Sequence, residues 1–74
     1  MIAKVFLTFP QQLVQEPVLH DLIRRFPVRT NIRGASVTDQ IALMALHIEG
    51  EDADVAASVE WLKGIGVVVD DLNE

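Results

Sequence analysis

The 74-residue sequence has no cysteine and no tyrosine, and only 5% of its residues are aromatic. The lack of cysteine excludes disulfide bonds, a thiolate nucleophile and a cysteine-ligated iron–sulfur cluster within the chain. Apolar runs fall short of the roughly 20 residues that a membrane-spanning helix needs, so we expect no membrane insertion. Basic residues are also few, 6 against 11 acidic ones, and the net charge of −5 disfavours binding to nucleic-acid phosphates.

Apolar character is what the sequence does have. Hydrophobic residues make up 50% of the chain and the mean hydropathy is +0.29, which argues against disorder. A chain of this length builds one core, so we predict a single domain over residues 1–74. So small a core is marginally stable without disulfides or metals, which favours a homodimer. The N-terminus lacks the basic and apolar regions of a signal peptide, and we expect a cytoplasmic protein.

Apolar–polar alternation predicts four strands, and apolar residues at helical spacing predict two helices. The first helix opens at Pro17 and stops at Pro27, because proline suits the first helical position but not the interior. The second helix follows an acidic start and ends at Gly64 and Gly66, which tolerate positive φ. The strands are predicted at residues 2–9, 28–37, 41–49 and 67–72.

The order βαββαβ predicts the α+β ferredoxin-like fold, a four-stranded antiparallel sheet with two helices on one face. In such a fold a strand shows apolar residues on one face only, but the strand at 41–49 is apolar on both. Either the outward residues are scattered surface hydrophobes, or this face packs against another sheet, most simply in a symmetric homodimer. The residues predicted for that interface are Phe6, Ile41, Leu43, Ala45 and His47.

Three short motifs occur in a familiar order along the chain. Thr30-Asn31-Ile32 follows a helix that begins at Glu16-Pro17, Gly50 follows a long apolar strand, and residues 59–67 read Val-Glu-Trp-Leu-Lys-Gly-Ile-Gly-Val. In this order and spacing the sequence resembles the NIL domain, named for an Asn-Ile-Leu signature after the first helix. The leucine of that signature is Arg33 here.

The resemblance implies a regulatory function. NIL domains are ferredoxin-like, similar in style to ACT regulatory domains, and occur at the C-terminus of the ATPase of methionine-import ABC transporters, where they dimerise and bind methionine. They also precede iron–sulfur segments in ferredoxin-type proteins. Carried over by position, Asn31 and Ile32 would lie on the ligand-facing strand at the dimer interface, with Ser36 and Val37 near them by strand geometry. Backbone groups near Gly34, which itself indicates a bulge or a close backbone approach, would hold the polar ends of the ligand.

Four of the six basic residues lie between positions 24 and 33, a stretch without acids, whereas residues 49–74 hold eight acids against Lys63 alone. These four are Arg24, Arg25, Arg29 and Arg33. The arginines either bind a carboxylate, a phosphate or an acidic protein face, or serve as solubilising charge matched in part to the helix dipole. Arg29 and Arg33 are the residues that we predict to bind a partner.

No set of residues suited to catalysis is present, and we predict neither an enzyme nor a cofactor. His20 is expected on the surface, and His47 at a sheet edge or interface or in contact with a ligand; neither has partners at metal-ligand spacing. Strand alternation places Asp70 and Asp71 on opposite faces, which does not suit a paired acid and base. Only Phe6 offers an aromatic ring for base stacking, so RNA binding is not expected.

Two hypotheses follow. The first is a free-standing NIL-type regulatory module, dimeric, that binds a small amino-acid-like ligand such as methionine at the dimer interface. The second is a non-catalytic protein-interaction module that docks on an iron–sulfur, sulfur-metabolism or transporter protein.

Overall fold

Residues 1–72 are described by a computed structural model, and Glu74, one of the acids counted above, lies outside them. The elements follow the predicted order βαββαβ, with a short 3-10 helix, η1, that was not predicted. Their bounds are β1 Ile2–Phe9, η1 Gln11–Leu13, α1 Val18–Arg25, β2 Arg29–Val37, β3 Ala42–Glu49, α2 Asp52–Gly64 and β4 Val68–Asp71.

The four strands form one antiparallel sheet in the order β2-β3-β1-β4. One of its faces, the helix face, contributes Val5, Leu7, Leu46 and Ile48 to a core that also contains buried residues of both helices. Those helical residues are Val18, Leu22, Val55 and Leu62. Because both helices pack into the same core, they lie on the same face of the sheet, and the predicted ferredoxin-like architecture is confirmed.

Local signals explain where the helices begin and end. In α1, Asp21 lies in the first turn and two arginines in the last, which matches the helix dipole. The chain then turns extended at Phe26, because Pro27 disfavours helical backbone in the residue before it. In α2, Gly64 is the last helical residue, and Gly66 just beyond it adopts positive φ, at 106°. The predicted end of α2 at these glycines is confirmed, and the positive φ that glycine tolerates is used at Gly66.

A four-residue loop, residues 38–41, joins β2 to β3. Thr38 Oγ1 accepts hydrogen bonds from the N–H groups of Gln40, at 3.2 Å, and Ile41, at 3.1 Å, while the N–H of Thr38 donates to the carbonyl oxygen of Ile41 at 2.9 Å. These bonds satisfy three of the backbone N–H groups of the loop, two of them through the Thr38 hydroxyl, as threonine commonly does in turns. They fix the pairing of Val37 with Ala42 at the start of the ladder.

The predicted bulge in β2 is observed. From Val37 back to Gly34 the residues pair regularly with β3, but Ile32 pairs with Leu46 and Gly34 with Ala45, so Arg33 is the extra residue. A Cβ atom added to Gly34 would meet nothing within 4 Å, so the bulge, and not a close backbone approach, accounts for the irregularity here. Because of the extra residue, even-numbered residues of β2 face the helices before the bulge and odd-numbered residues face them after it.

Candidate functional site

The side of the sheet opposite the helices, termed the open face, is where the predicted interface residues meet. Phe6 pairs with Ala45, and Thr8 pairs with Leu43, on the face that alternates with the buried core positions of β1 and β3. On β2 the positions opposite His47, Ala45 and Leu43 belong to Asn31, Gly34 and Ser36. The open face therefore runs across three neighbouring strands, β2, β3 and β1.

An apolar depression of about 310 Å³ occupies the middle of the open face. Phe6, Leu43 and Ala45 supply its apolar side chains and are each half-buried in the single chain. The complete lining is Phe6, Gly34, Ala35, Ser36, Leu43 and Ala45. Three of the five predicted interface residues are thus brought together, while Ile41 lies 42% exposed in the loop before β3, and His47 lies in the next cavity along the face.

That second cavity is polar and has a volume of about 420 Å³. Arg29 and Glu49 stand opposite each other in the ladder, with Arg29 Nη1 4.0 Å from Glu49 Oε1. Asn31 pairs with His47 beside them. The complete lining is Ile2, Arg29, Thr30, Asn31, His47 and Glu49. We term this site the polar concavity.

The polar concavity presents two opposite charges and an amide in one recess. A guanidinium binds a carboxylate, a carboxylate binds an ammonium group, and an Asn amide both donates and accepts hydrogen bonds. The pair at 4.0 Å is long and its side chains are 89% and 51% exposed, so each partner remains accessible to a ligand. This arrangement matches a zwitterion, the common end of every free α-amino acid.

The five predicted ligand-binding residues do not form one site. Asn31, Gly34 and Ser36 belong to the open face, but Ile32 pairs with the core residue Leu46 and Val37 with the core residue Ala42. Val37 instead lines a third cavity, of about 230 Å³, on the helix face. The NIL resemblance assigned Asn31 and Ile32 together to a ligand-facing strand, whereas neighbouring residues of a strand point to opposite faces of the sheet.

Glu49, Ile2 and Thr30 belong to the polar concavity and were not expected there. Glu49 ends β3 where β2 begins, so the hairpin itself places it opposite Arg29. Counting back from the loop without a bulge would put Arg29 opposite Gly50 and Asn31 opposite Ile48, on the helix face. The sequence did not indicate that the extra residue is Arg33, and this residue shifts the pairing of the first half of β2 by one position.

The four arginines do not form one cluster. Arg25 lies over Trp61, with its guanidinium carbon 5.3 Å from the ring centroid, and Phe26 meets the same ring edge-on at 6.3 Å. Arg29 belongs to the polar concavity and Arg33 is exposed at the bulge. Arg24 lies beside Arg25 and lines the same shallow recess of α1. The predicted basic stretch thus divides into a helix pair with a cation–π contact, a cavity residue and an edge residue.

Other candidate features have simple placements. Asp70 pairs with Phe6 on the open face and Asp71 with Val5 on the helix face, so their predicted separation is confirmed. His20 is exposed, as predicted, at the rim of the third cavity. Among residues 1–72 no group of three or more His, Asp or Glu side chains is placed to hold a metal ion. No helix in that part of the chain is long and apolar enough to cross a membrane.

The fold and the site define a small ferredoxin-like α+β module with a polar concavity on its open face. The family model of the NIL domain matches residues 4–71, and the chain belongs to the NIL domain family. Among solved structures, the chain is similar to the C-terminal domain of an ABC transporter ATP-binding protein from Enterococcus faecalis, with a TM-score of 0.82 and 16% identity. That alignment covers 97% of this chain and 84% of the other. A comparison with curated proteins gives no significant match.

Proposed function

We propose that this chain is a non-catalytic regulatory module that binds a free α-amino acid in the polar concavity and pairs with a second copy through the apolar depression beside it. The observation that carries the proposal is the presence of Arg29, Glu49 and Asn31 in one recess of the open face. Membership of the NIL family supports a regulatory role. The proposal includes a single domain over residues 1–74 and a cytoplasmic location.

The charges of the recess suggest how the ligand is oriented. Arg29 binds the α-carboxylate through its guanidinium, and Glu49 binds the α-ammonium group. Asn31 donates its amide N–H groups to the carboxylate or accepts from the ammonium group. The ligand side chain lies against Ile2, which is 51% exposed at the wall of the recess. Ile32 and Val37 take no part, because they lie on the helix face.

Dimerisation follows from the depression next to the recess. Phe6, Leu43 and Ala45 present apolar surface that no element of the described chain covers, and Ile41 is 42% exposed in the loop before β3. Surface of this kind is normally covered by a partner. Gly34 and Ser36 line the same depression and bring two copies close without bulky side chains. A second copy packed there also shields the adjoining recess from water, which strengthens its charged contacts.

Methionine is the first ligand to test, because the NIL resemblance implies it and an unbranched apolar side chain suits the wall at Ile2. Isothermal titration calorimetry against methionine, cysteine and a panel of other amino acids measures the affinity. N-acetylmethionine and methionine methyl ester each lack one charged end. We expect both to bind at least tenfold more weakly, since hydrogen bonds to charged groups contribute about 1.5–3 kcal/mol.

Variants of the recess test the assignment of each residue. Asn31→Ala and Glu49→Gln are expected to weaken binding by about 10- to 100-fold. Glu60→Gln, an equal change of charge on α2, is the matched control and is expected to leave the affinity unchanged. The absence of heat with every amino acid, or an Asn31→Ala protein that binds like the unmodified chain, would overturn the proposal.

The alternative function is a protein-interaction module that docks on a transporter, iron–sulfur or sulfur-metabolism protein. The fold shared with a domain of an ABC transporter ATP-binding protein favours the transporter among these. Exposed Arg33 at the edge of the sheet is the feature of this chain that favours such docking. A chain that binds no amino acid but retains a specific protein partner, lost on Arg33→Glu, would support this alternative over the first proposal.

A further inference from the structure

One edge of the sheet is long and uncovered. β2 is the terminal strand in the order β2-β3-β1-β4, and no strand of residues 1–72 lies along its outer side. It spans nine residues, of which all except Thr30 are exposed. An exposed edge presents a row of backbone N–H and C=O groups that can pair with another strand. β4, the other edge, offers only four residues.

Apolar side chains project beside this edge on the helix face. Ile32 is 53% exposed and Val37 is 62% exposed. Leu19 of α1 lines the 230 Å³ cavity together with Val37, and Ile23, one helical turn further on, is 48% exposed. We term Ile23, Ile32 and Val37 the apolar ledge. A strand added outside β2 would cover this ledge with every second side chain.

The edge is also purely basic. Arg29 and Arg33 lie on β2, and no acidic residue occurs between positions 22 and 38. Glu49 stands opposite Arg29 across the ladder, whereas no acid among residues 1–72 is paired with Arg33, the extra residue of the bulge. A strand that brings carboxylates to this edge would therefore meet a complementary charge, which raises the association rate and selects against basic segments.

We propose that β2 is a strand-addition site for an extended segment of a partner protein, one that alternates apolar residues, facing the apolar ledge, with acidic residues near Arg33. In this mode backbone hydrogen bonds supply affinity, and the alternate side chains supply specificity. The added strand would pair with the outer backbone of β2, whereas the amino-acid recess uses side chains on the open face, among them Arg29 and Asn31 at the start of the same strand. Strand addition does not require a ligand in the recess. It gives the protein a second surface for a macromolecular partner.

A second copy of the chain fits this edge less well. Pairing two β2 strands would bring their arginines together, which is unfavourable. β4 is acidic, but its four residues cover less than half of β2, and β4-to-β2 contacts are head-to-tail and do not close into a symmetric dimer. The bulge at Arg33 is itself a common protection of edge strands against pairing with copies of themselves.

The test uses a defined peptide with the full chain. The probe is a nine-residue, fluorescein-labelled peptide of alternating valine and glutamate, acetylated at its N-terminus, and fluorescence anisotropy measures its affinity. A peptide with lysine in place of glutamate is its charge-reversed partner. We expect the acidic peptide to bind at least tenfold more tightly, and amide hydrogen exchange to slow along β2 when it is bound.

Two variants locate the site. Arg33→Glu and Val37→Asp are each expected to lower the affinity for the acidic peptide by about tenfold or more, which corresponds to roughly 1.4 kcal/mol. Lys63→Glu makes the same charge change on α2 and is expected to alter the affinity by less than about twofold. Both edge positions are exposed, and thermal unfolding verifies that the variants remain folded.

Several results would overturn the inference. They are equal binding of the lysine peptide, exchange protection outside β2, or loss of binding in Lys63→Glu as well. Concentration-dependent self-association that Arg33→Glu abolishes would show that a second copy occupies the edge instead. The same variants distinguish the two sites: Arg33→Glu is expected to retain amino-acid binding, and Asn31→Ala is expected to retain peptide binding.

Discussion

At the scale of single residues, two glycines have opposite requirements. Gly66 has φ of +106° where the chain leaves α2, a conformation that side chains with a Cβ rarely adopt, while Gly34 has open space around its missing Cβ. Gly66→Ala is expected to lower the free energy of unfolding by about 1–2 kcal/mol. Gly34→Ala is expected to leave it unchanged or raise it by up to about 1 kcal/mol, because alanine restricts the unfolded chain. Urea denaturation of both variants measures the difference.

The two glycine variants serve as controls for each other. A loss of stability in Gly34→Ala as large as in Gly66→Ala would show that the bulge depends on glycine itself. Gly50 differs from both, since a Cβ there would lie 3.2 Å from Val28 Cγ1.

The Arg29–Glu49 pair can be altered to test ligand binding without a large effect on folding stability. The side chains are largely exposed and their nearest charged atoms are 4.0 Å apart, so the pair contributes little to stability. Substitutions that test the recess are therefore not expected to unfold the chain. This makes Glu49→Gln a clean probe of ligand binding.

At the scale of the elements, the bulge in β2 decides what the open face contains. Arg33 is the extra residue, so its removal makes the ladder regular but preserves the pairs Asn31–His47 and Ile32–Leu46. We expect the chain without Arg33 to fold and to retain amino-acid binding. We also expect it to self-associate more readily, because it loses both the charge and the irregularity that protect the edge.

Calorimetry and sedimentation velocity measure these two effects. Arg33→Ala removes the charge and keeps the extra residue, so it separates the contribution of the charge from that of the bulge. A chain without Arg33 that folds but no longer binds an amino acid would mean that the bulge itself shapes the recess.

The elements themselves were predictable from the sequence. Period-two alternation gave β1 at its observed bounds, and prolines and glycines limited both helices to within about two residues. A bulge at Gly34 was also indicated, but the sequence did not show which neighbouring residue is the extra one. Which face Asn31 occupies depends on whether the ladder gains one residue before or after that position. Local sequence carries no such information, and so Ile32 and Val37 were grouped with residues of the opposite face.

At the scale of the whole molecule, the open face and the β2 edge are different surfaces. The open face has an apolar centre next to a charged recess, and the edge has a basic backbone row next to the apolar ledge. A homodimer over the open face leaves the β2 edge accessible. Ligand binding and partner binding can then be coupled through dimer formation, since whatever binds only the dimer also stabilises it.

The proposed dimer predicts the effect of a charge in the apolar depression. Leu43→Glu is expected to weaken self-association by about 100-fold or more, because symmetry places the carboxylate on both copies where it cannot be paired. Sedimentation velocity with and without methionine measures the monomer–dimer equilibrium. Ile23→Glu, which adds the same charge on the apolar ledge, is expected to leave the dimer intact.

Self-association that survives Leu43→Glu would place the dimer on another surface. An unmodified chain that stays monomeric at micromolar concentration, with and without methionine, would contradict the proposed homodimer.

The chain's single tryptophan has a practical consequence for all these measurements. Trp61 lies on α2, with the ring of Phe26 and the guanidinium of Arg25 against it, on the helix side of the sheet. Its emission therefore monitors whether the helix layer is assembled and is insensitive to events on the opposite side of the sheet. Ligand-induced shifts of a denaturation midpoint can be recorded from one intrinsic optical signal, with no label attached to either binding surface.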